Sequence, residues 1–396
     1  MQKLNYVFEA TKSTTKGLAC TIGVVGSGNC EVLVDKSKRE SKVTFDIFTS
    51  VDGFEQLWQA VCTYFVDEYK PEALGFRIND SGATPAVVAL RLRQAIEVYY
   101  KQEVPKGNNY LELDARSRIA SLFENFEEFN CKDGCYSHHL DDLGITSEHD
   151  DGIVLGRANF KNKKVFVAAQ QKDFIGGAVG EMHGAKLNAL FKKAVKENIE
   201  AVILLIDSGG VRLHEANAGE IAISEIIRSI FAARRNGVKT IGVICGKNGA
   251  YGGMGIIAAT LDCRIVSEVS RMGVSGAEVI QAVKGIEAFD ANDRALVWRV
   301  YGGKTRYLNS EVELFADNNI DTIRIRISEA LQKEARLDLE VVKAEQKLLK
   351  QRLLDSGDCR EEAEYLNENN YGELADKIFD MNYSDFLKIA EDIKRS

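Results

Sequence analysis

Two pairs of adjacent glycines are the residues of this sequence best suited to chemistry. Gly209 and Gly210 lie in AVILLIDSGGVRLHEA, and Gly252 and Gly253 lie in TIGVICGKNGAYGGMGIIAA. Each segment begins with an apolar run typical of a strand buried on both faces, and continues after the glycines with a pattern that predicts a helix. The first amides of a helix lack an internal partner and lie at the positive end of its dipole, and glycine lets a ligand approach the backbone closely. The pairs therefore predict a site for an anionic oxygen.

The chemistry that suits these amides is an oxyanion hole rather than a phosphate site. Neither segment carries the Lys-Ser/Thr ending of a P-loop, and neither matches the G-x-G-x-x-G fingerprint of dinucleotide binding. A simpler interpretation stays open, because parallel-sheet proteins also use glycine merely to make the turn between a strand and a helix. Two pairs in successive units favour the functional interpretation, since function in α/β folds collects at such turns.

Composition sets the broad class of the protein. The chain has 396 residues, enough for two or three domains, with 45% hydrophobic residues and a formal net charge of -8. The acidic balance argues against a general nucleic-acid binder, which needs clustered Lys and Arg. The segment MQKLNYVFEATK lacks the apolar core of a signal peptide, and no run of about 18 apolar residues occurs. We expect a cytoplasmic protein with neither a nucleic-acid nor a membrane partner.

The eight cysteines are scattered along the chain, which predicts free thiols in a reducing compartment. One cluster combines Cys131, Cys135, His138 and His139. Its spacing matches no zinc-finger or zinc-ribbon pattern. We therefore expect a polar loop there and no metal.

Residues 1–100 have the pattern of a small α+β domain. Strands are predicted in LNYVFEA, GLACTIGVV, CEVLVD, VTFDIFTS and ALGFRIND. Helices are predicted around Trp58 and from Thr84, with Thr84 as the N-cap and Pro85 at the first helical position. The turn between the second and third strands presents the hydroxyl of Ser27 between two glycines, although ordinary turn chemistry also accounts for this pattern. Residues 101–109, KQEVPKGNN, are predicted to be a linker.

The first domain resembles a known family in three places: VVGSGNCEVLV, the helix around Trp58, and NDSGATPAVVALRLRQAIE. These segments resemble the acyl carrier (delta) subunit of malonate decarboxylase. In that family the serine of the V-V-G-S-G turn carries 2'-(5''-phosphoribosyl)-3'-dephospho-CoA through a phosphodiester. The resemblance therefore implies that this prosthetic group is covalently attached at Ser27 and that the chain is a phosphoprotein. The linker would keep the carrier near the next domain at a high effective concentration.

Residues 110–307 have the pattern of an α/β domain. The segment LELDARSRIASLFENFEEF predicts an amphipathic helix, and GIVLGRANFKNKKVFVAAQQ predicts a hairpin. Strands then alternate with helices from Lys164 to Val283, which predicts a parallel sheet covered by helices. Residues 308–396 are charged and helical in pattern, and we expect them to form a helical extension without chemistry of its own.

This second domain resembles the beta subunit of malonate decarboxylase. The motifs that carry the resemblance are DDGIVLGRA, GGAVGEMHGAKL, DSGGVRLHEAN, GAYGGMGIIAA, MGVSGAEVIQ and DANDRALVWRVYGGKTRY, in that order. More distantly they are similar to the acyl-CoA-binding half of biotin-dependent carboxyltransferases, all of the ClpP/crotonase fold. The resemblance implies that a malonyl thioester on the carrier loses CO2 through an enolate and becomes an acetyl thioester. By motif position Gly252 and Gly253 form the oxyanion hole, and Gly209 and Gly210 shape the adjoining wall.

The same resemblance implies partners. The chain holds one crotonase unit, so a homologous gamma subunit is expected to complete the site. An alpha subunit that acts as the acyl carrier transferase, a prosthetic-group transferase and a malonyl transferase are expected as well. The chemistry requires no metal, and biotin is not expected.

Several questions stay open at this stage. The proton for the enolate could come from side chains near the glycines, from the partner or from water, and the candidate residues are Tyr251, His214, Glu215, Glu181 and His183. One alternative function is a carboxyltransferase that passes the carboxyl group to biotin on another protein. A second alternative is a non-catalytic scaffold that docks the carrier.

Overall fold

The structure of the chain is a computed structural model. It describes residues 2–13, 15–25, 28–101, 110–111, 113–129, 135–146, 150–334, 337–357, 359, 361–375 and 377–395. Two compact units are present. The first comprises Met1–Asn109, Ala291–Trp298 and Tyr371–Ile389, and the second comprises Tyr110–Asp290, Arg299–Asn370 and Ala390–Ser396. The predicted linker lies, apart from Lys101, outside the described residues.

The first unit is built on a five-stranded sheet. Its strands are β1 (Gln2–Glu9), β2 (Cys20–Gly23), β3 (Asn29–Lys36), β4 (Lys42–Thr49) and β5 (Leu74–Ser81), and its long helices are α1 (Glu55–Tyr69) and α2 (Pro85–Tyr100). The strand order is β1-β4-β5-β3-β2, with β4 and β5 parallel and the other pairs antiparallel. The five predicted strands and both predicted helices are confirmed.

The start of α2 confirms the predicted cap. The side chain of Thr84 accepts a hydrogen bond from the amide of Val87, and Pro85 is the first helical residue. The core of this unit is aromatic, because Phe45 stacks on Phe76 and meets the edge of Phe65. These rings hold α1 against the sheet.

The second unit is built on a seven-stranded sheet, with a short two-stranded ladder beside it. Its strands are β6 (Glu124–Glu128), β7 (Ile153–Phe160), β8 (Lys163–Gln170), β9 (Ala201–Leu205), β10 (Lys239–Ile244), β11 (Ala250–Tyr251), β12 (Cys263–Ser267), β13 (Met272–Gly273) and β14 (Leu314–Ala316). The order of the large sheet is β14-β12-β10-β9-β8-β7-β6, and β11 pairs with β13. Pairing from β14 to β8 is parallel, while β8, β7 and β6 are antiparallel. The α/β crotonase-like fold class and the predicted hairpin are confirmed.

The second unit contains the helices α3 (Ala115–Leu122), α4 (Glu181–Lys196), α5 (Asn217–Arg235), α6 (Gly252–Ala259), α7 (Ala277–Lys284), α9 (Gly303–Leu308), α10 (Ile320–Ala330), α11 (Leu339–Ser356) and α12 (Glu362–Glu368). Most of α8 (Arg294–Tyr301), all of α13 (Gly372–Ala375) and most of α14 (Tyr383–Ile393) belong to the segments of the first unit. Every residue of β9 is buried, as its continuous apolar run predicts. Strand β14 and the buried residues Ile323 and Ile327 of α10 belong to the core of this sheet. Part of the 308–396 segment is therefore core structure.

One predicted element is wrong. The single helix expected over LELDARSRIASLFENFEEF ends at Leu122, and the rest forms the edge strand β6. The chain turns at Asn125, which has a φ of +51°, and the register against β7 shifts between Glu124 and Glu127. Phe126 packs on the core from this irregular strand. Tertiary packing at the sheet edge outweighs the helical pattern.

The thiols are mostly as expected. Cys20, Cys30, Cys62, Cys245, Cys263 and Cys359 are free. Cys135 is instead disulfide-bonded, which the scattered spacing did not predict. In the part of the chain that the structure describes, none of the helices combines the length and the apolar character that a membrane crossing requires.

Candidate active site

The first glycine turn follows β9. The amide of Ser208 donates to the carbonyl of Gly249 at 2.8 Å. The amide of Gly209 donates to the carbonyl of Gly176 at 2.9 Å, and the amide of Gly210 donates to the Oγ atom of Ser208 at 3.2 Å. Both glycine amides are thus engaged within the protein. Gly209 and Gly210 can shape a wall, but their NH groups are not available to a ligand.

The second glycine turn leads from β11 into α6. The amides before the helix are engaged, because Ala250 donates to the carbonyl of Arg271 at 2.9 Å and Tyr251 donates to that of Ser208 at 3.2 Å. Gly252 and Gly253 are the first two residues of α6. The first amides of a helix have no acceptor within it and lie at its positive end. These two residues have the backbone position that donors to an anionic oxygen require.

The structure brings the two turns together. Ser208 and Ala250 form a parallel bridge, and a Cβ atom placed on Gly252 would lie 3.5 Å from the Cα atom of Gly210. Gly252 has a φ of +54°, a left-handed conformation that favours glycine. A Cβ atom on Gly253 would lie 2.6 Å from a methyl group of Val211, so glycine there is also required for packing. Backbone conformation at Gly252 and tight packing at Gly253 are thus reasons for glycine at these positions that do not depend on catalysis.

Tyr251 is the proton-donor candidate that adjoins the second turn directly. It is half-buried and precedes Gly252, and its ring meets the edge of the Tyr301 ring at 5.6 Å between centroids. Burial raises the pKa of the Tyr251 phenol, an effect that the nearby Arg271 opposes. The phenol is therefore protonated at neutral pH, as a proton donor must be.

Two other candidates are buried and engaged in structural contacts. Glu215 pairs with Arg212 at 3.0 Å and accepts the amide of Glu181. His183 is completely buried, and burial lowers its pKa well below the usual value, with Arg212 adding to the effect. A neutral imidazole and an ion-paired carboxylate are poor sources of a proton. Neither residue is brought to the glycine turns as an available acid.

The remaining two candidates lie on the surface. His214 is exposed in a short 3-10 turn, Leu213–Glu215. Glu181 is exposed at the start of α4, where it lies 3.2 Å from the ring of His139. Exposed side chains of this kind are solvated like any surface group.

Sequence reasoning named Glu215 only as a possible proton donor and missed the other buried charges near the turns. Arg212 binds Asp151 at 2.8 Å as well as Glu215, and all three side chains are buried. Arg118 pairs with Asp207 at 2.8 Å in the interior. Asp151 lies in the motif DDGIVLGRA, and Asp207, Arg212 and Glu215 lie in DSGGVRLHEAN, but nothing in the sequence shows that these charges pair in the interior.

The predicted attachment residue Ser27 lies outside the described residues, but its surroundings are described. It falls in the connection between the antiparallel strands β2 and β3. Val24 and Val25 are exposed before it, and the amide of Gly28 donates to the carbonyl of Ser81 after it. Nε of Arg91 donates to the side chain of Asn29 at 3.2 Å, which places a cation at the base of this hairpin. The described residues that flank Ser27 are therefore exposed on one side and lie near a cation on the other.

The structure describes only part of the Cys/His cluster for which we expected no metal. Cys131 lies outside the described residues, while His138 and His139 contact Asp141 and Glu181 respectively. Among the residues that are described, no group of three or more His, Cys, Asp or Glu side chains is arranged to hold a metal ion.

Comparisons with known proteins find different relatives for two successive parts of the chain. A family model described as the malonate decarboxylase delta subunit matches residues 19–99, and one described as the carboxyl transferase domain matches residues 104–301. The chain is 38% identical over 246 residues to a malonyl-S-ACP:biotin-protein carboxyltransferase of Malonomonas rubra, covering 58% of this chain and 77% of that protein. It is 43% identical over 99 residues to a malonate decarboxylase acyl carrier protein of Xanthomonas axonopodis pv. citri, covering 25% of this chain and 94% of that protein.

Solved structures of malonate decarboxylase are also similar to this chain. A chain of a Pseudomonas malonate decarboxylase hetero-tetramer in complex with malonate is similar with a TM-score of 0.60 and 30% identity, covering 65% of this chain and 94% of that chain. A Pseudomonas malonate decarboxylase MdcD-MdcE hetero-dimer gives a TM-score of 0.50 and 27% identity, covering 61% of this chain and 96% of that chain. The name of the Malonomonas relative includes biotin, which counts against the expectation that biotin is not involved.

Proposed function

Because the chain belongs to the malonate decarboxylase family and joins an acyl carrier domain to a carboxyl transferase domain, we propose that it removes the carboxyl group from a malonyl thioester held on the acyl carrier. The carbon–carbon bond to the carboxyl group breaks, CO2 leaves, and the bonding electrons pass to the thioester oxygen as an enolate. One proton then adds to carbon and gives the acetyl thioester. The reaction needs donors aimed at the oxygen where negative charge develops.

The observation that carries this proposal is the pairing of the two glycine turns. The amides of Gly209 and Gly210 are engaged within the protein, whereas Gly252 and Gly253 begin α6 beside them. We assign the donors of the oxyanion hole to Gly252 and Gly253, and the adjoining wall to Gly209 and Gly210. Loss of one such donor typically costs about 3 kcal/mol of transition-state stabilisation.

We assign the carrier function to Ser27. A phosphoribosyl-dephospho-CoA arm attached there would supply a terminal thiol that holds the acyl group as a thioester. The two residues described just before this connection, Val24 and Val25, are exposed. Arg91 would face the negative charge of a phosphodiester from the base of the hairpin.

We assign to Tyr251 the role of donating the proton that adds to the enolate carbon. Its phenol adjoins the helix that begins at Gly252, and burial keeps it protonated by raising its pKa. His183 and Glu215 are engaged in the interior, and His214 and Glu181 are solvated. A general acid contributes a factor of about a hundred or more when it is well placed.

A gamma subunit is the partner that we propose for this site. The apolar side chains of Val274, Val279, Val283 and Ile286 are exposed on and around α7. The carbonyl of Val274 lies 4.0 Å from a Cβ atom placed on Gly252, so this face begins beside the proposed oxyanion hole. Exposed apolar groups next to a site are typical of a surface that another protein covers.

A second candidate function is favoured by the name of the Malonomonas relative. In this reaction the same bond breaks at the same amides, but the carboxyl group passes to biotin on a separate protein instead of leaving as CO2. The oxyanion hole serves both reactions, because the enolate is common to them. The two proposals differ only in the acceptor of the carboxyl group.

One assay separates the candidates. The native complex is purified, supplied with malonyl thioester on the carrier, and assayed for CO2 and acetyl thioester with and without avidin. Activity that is unchanged by avidin supports direct decarboxylation, and activity abolished by avidin supports transfer to biotin. A folded, fully assembled complex without either product under both conditions would leave the scaffold alternative and contradict the proposal.

A further inference from the structure

The carboxylate of Asp207 connects the two glycine turns. It follows β9 and is completely buried. Its Oδ1 atom accepts a hydrogen bond from the amide of Asn248 at 2.5 Å, on the loop that leads to the second turn. A Cβ atom placed on Gly246 would lie 2.2 Å from the Cγ atom of Asp207, so the carboxylate occupies the space of a side chain there. The second turn is therefore built around a side chain that belongs to the first.

Arg118 of α3 neutralises this carboxylate. Its Nη2 atom lies 2.8 Å from Oδ2 of Asp207, and both side chains are inaccessible to solvent. The same nitrogen donates to the carbonyl of Leu111 at 3.0 Å, and the guanidinium lies over the ring of Tyr110 at 4.7 Å. Within the described residues Nε of Arg118 and the hydroxyl of Tyr110 have no hydrogen-bond partner. An apolar core of the same volume would often be at least as stable, so stability alone gives little reason for this pair.

Hydrogen bonds from Asn248 and Lys172 extend this network to both glycine turns. The side-chain amide of Asn248 donates to the carbonyls of Lys172 and Gly176 at 3.1 and 3.2 Å. The Nζ atom of Lys172 donates in turn to the carbonyl of Leu111 at 3.2 Å. The carbonyl of Gly176 also accepts the amide of Gly209. Both glycine turns are thereby bonded to the same set of groups.

We propose that Asp207 and Arg118 are positioning residues that fix the second glycine turn against the first. The inference rests on the proposed function, because the quantity that they set is the direction of the Gly252 and Gly253 amides. A displacement of about 1 Å in a preorganised site can cost about a hundredfold in rate. The pair acts through Asn248 and does not itself contact the substrate.

The test uses the native complex with Asp207→Asn, Arg118→Met and the double substitution. Each single substitution leaves one buried charge without its partner, and we expect kcat to fall by about tenfold to a hundredfold with little change in KM. Hydrogen exchange of the amides at 246–253 should become faster in both variants. In the double variant no unpaired charge is left, and an amide oxygen can still accept from Asn248, so exchange and part of kcat should recover. Arg116→Met is the matched control, because Arg116 lies on the same helix but is half-exposed.

Recovery in the double variant distinguishes positioning from a general loss of stability. Exchange at 246–253 that stays at the wild-type rate in folded single variants would overturn the proposal, as would a change spread evenly over the domain. The exchange measurement needs no substrate. A wild-type complex without decarboxylase activity would therefore refute the proposed function, while faster local exchange in the variants would still support the positioning role.

Discussion

The backbone amide of Tyr251 donates a hydrogen bond to the backbone carbonyl of Ser208 at 3.2 Å. This contact joins the residue before one glycine turn to the residue before the other. Because Ser208 also donates to the carbonyl of Gly249, the two connections behave as one short parallel ladder beyond the ends of β9 and β10. The ladder ends where α6 begins, and Gly252 and Gly253 follow it. The candidate site is thus a continuation of the sheet, fixed by main-chain bonds.

The first prediction concerns the backbone of Gly252. Gly252→Ala introduces a Cβ atom beside Gly210 at a residue whose φ is +54°. We expect a loss of about 1 kcal/mol in the free energy of unfolding, because an L-residue is strained there. We also expect kcat to fall by about tenfold or more, because the adjacent amides change direction. Denaturant unfolding and steady-state assay of the native complex measure the two effects.

Gly144→Ala is the control for this strain. Gly144 has a φ of +66°, and a Cβ atom placed there would meet nothing within 4 Å. It should lose similar stability without loss of kcat. Equal kcat in the Gly252 and Gly144 variants would contradict a role of the second turn in catalysis. Substitution of Gly253 is a poorer test, since its clash with Val211 and Ile223 disturbs packing as well.

The second prediction concerns the phenol of Tyr251. Tyr251→Phe removes the hydroxyl and keeps the ring, so kcat should fall by about a hundredfold while KM stays close to the wild-type value. Because burial raises the pKa of Tyr251, the wild-type enzyme should not lose activity from this group until the pH exceeds about 10. Tyr301→Phe, in the ring that packs against Tyr251, is the control. If the Tyr251→Phe variant keeps the wild-type kcat, Tyr251 is not the proton donor, and the proton must come from the partner or from water.

The sequence predicted the parts of the fold that local pattern determines. Local patterns predicted strand β9 from its apolar run, the helix cap at Thr84, and the hairpin of β7 and β8. These features depend on burial and turn chemistry within a short segment, so the sequence shows them directly. The edge strand β6 was not predicted, because its irregular register depends on pairing with β7. The glycine pairs were also readable as turns.

The details of the site were harder to predict. No pattern in the sequence showed that the amides of Gly209 and Gly210 are used internally, since their acceptors, Gly176 and the Ser208 hydroxyl, depend on the folded loops. The ion pair of Arg118 with Asp207 joins residues far apart in the chain. Long-range contacts of this kind leave no periodic signal in a single sequence. The structure alone identified them.

The third prediction links His183 to the pH dependence of stability. Its pKa in the folded protein lies well below the usual value of 6.5, because burial disfavours the charged imidazole. Below pH 6.5 the unfolded chain therefore binds a proton that the folded chain does not, and stability should fall as the pH falls through this range. His183→Gln should lose less stability than the wild type between pH 7.5 and 5.5. Thermal unfolding at the two pH values measures the difference, and the exposed His138→Gln variant should match the wild type.

The fourth prediction tests the apolar face on α7. Val279→Asp with Val283→Asp places two charges on a surface that we expect a gamma subunit to cover, and the double variant should fail to assemble. The residues are exposed in the isolated chain, so folding and thermal stability should change little. Ile325→Asp, another exposed apolar residue, is the control and should assemble normally. Normal co-purification of the partner with the α7 variant would show that this face is not the interface.

The fifth prediction concerns the modification of Ser27. Intact-mass measurement of the chain from its native source should show an adduct of the size of a phosphoribosyl-dephospho-CoA arm, and Ser27→Ala should abolish both the adduct and the activity. Ser81→Ala is the matched control: Ser81 adjoins the same hairpin through its carbonyl, which accepts the amide of Gly28, but it offers no predicted attachment point. It should keep the adduct. An active complex whose Ser27 carries no modification would contradict the carrier role, because the prosthetic group that is proposed to hold the acyl group would then be absent.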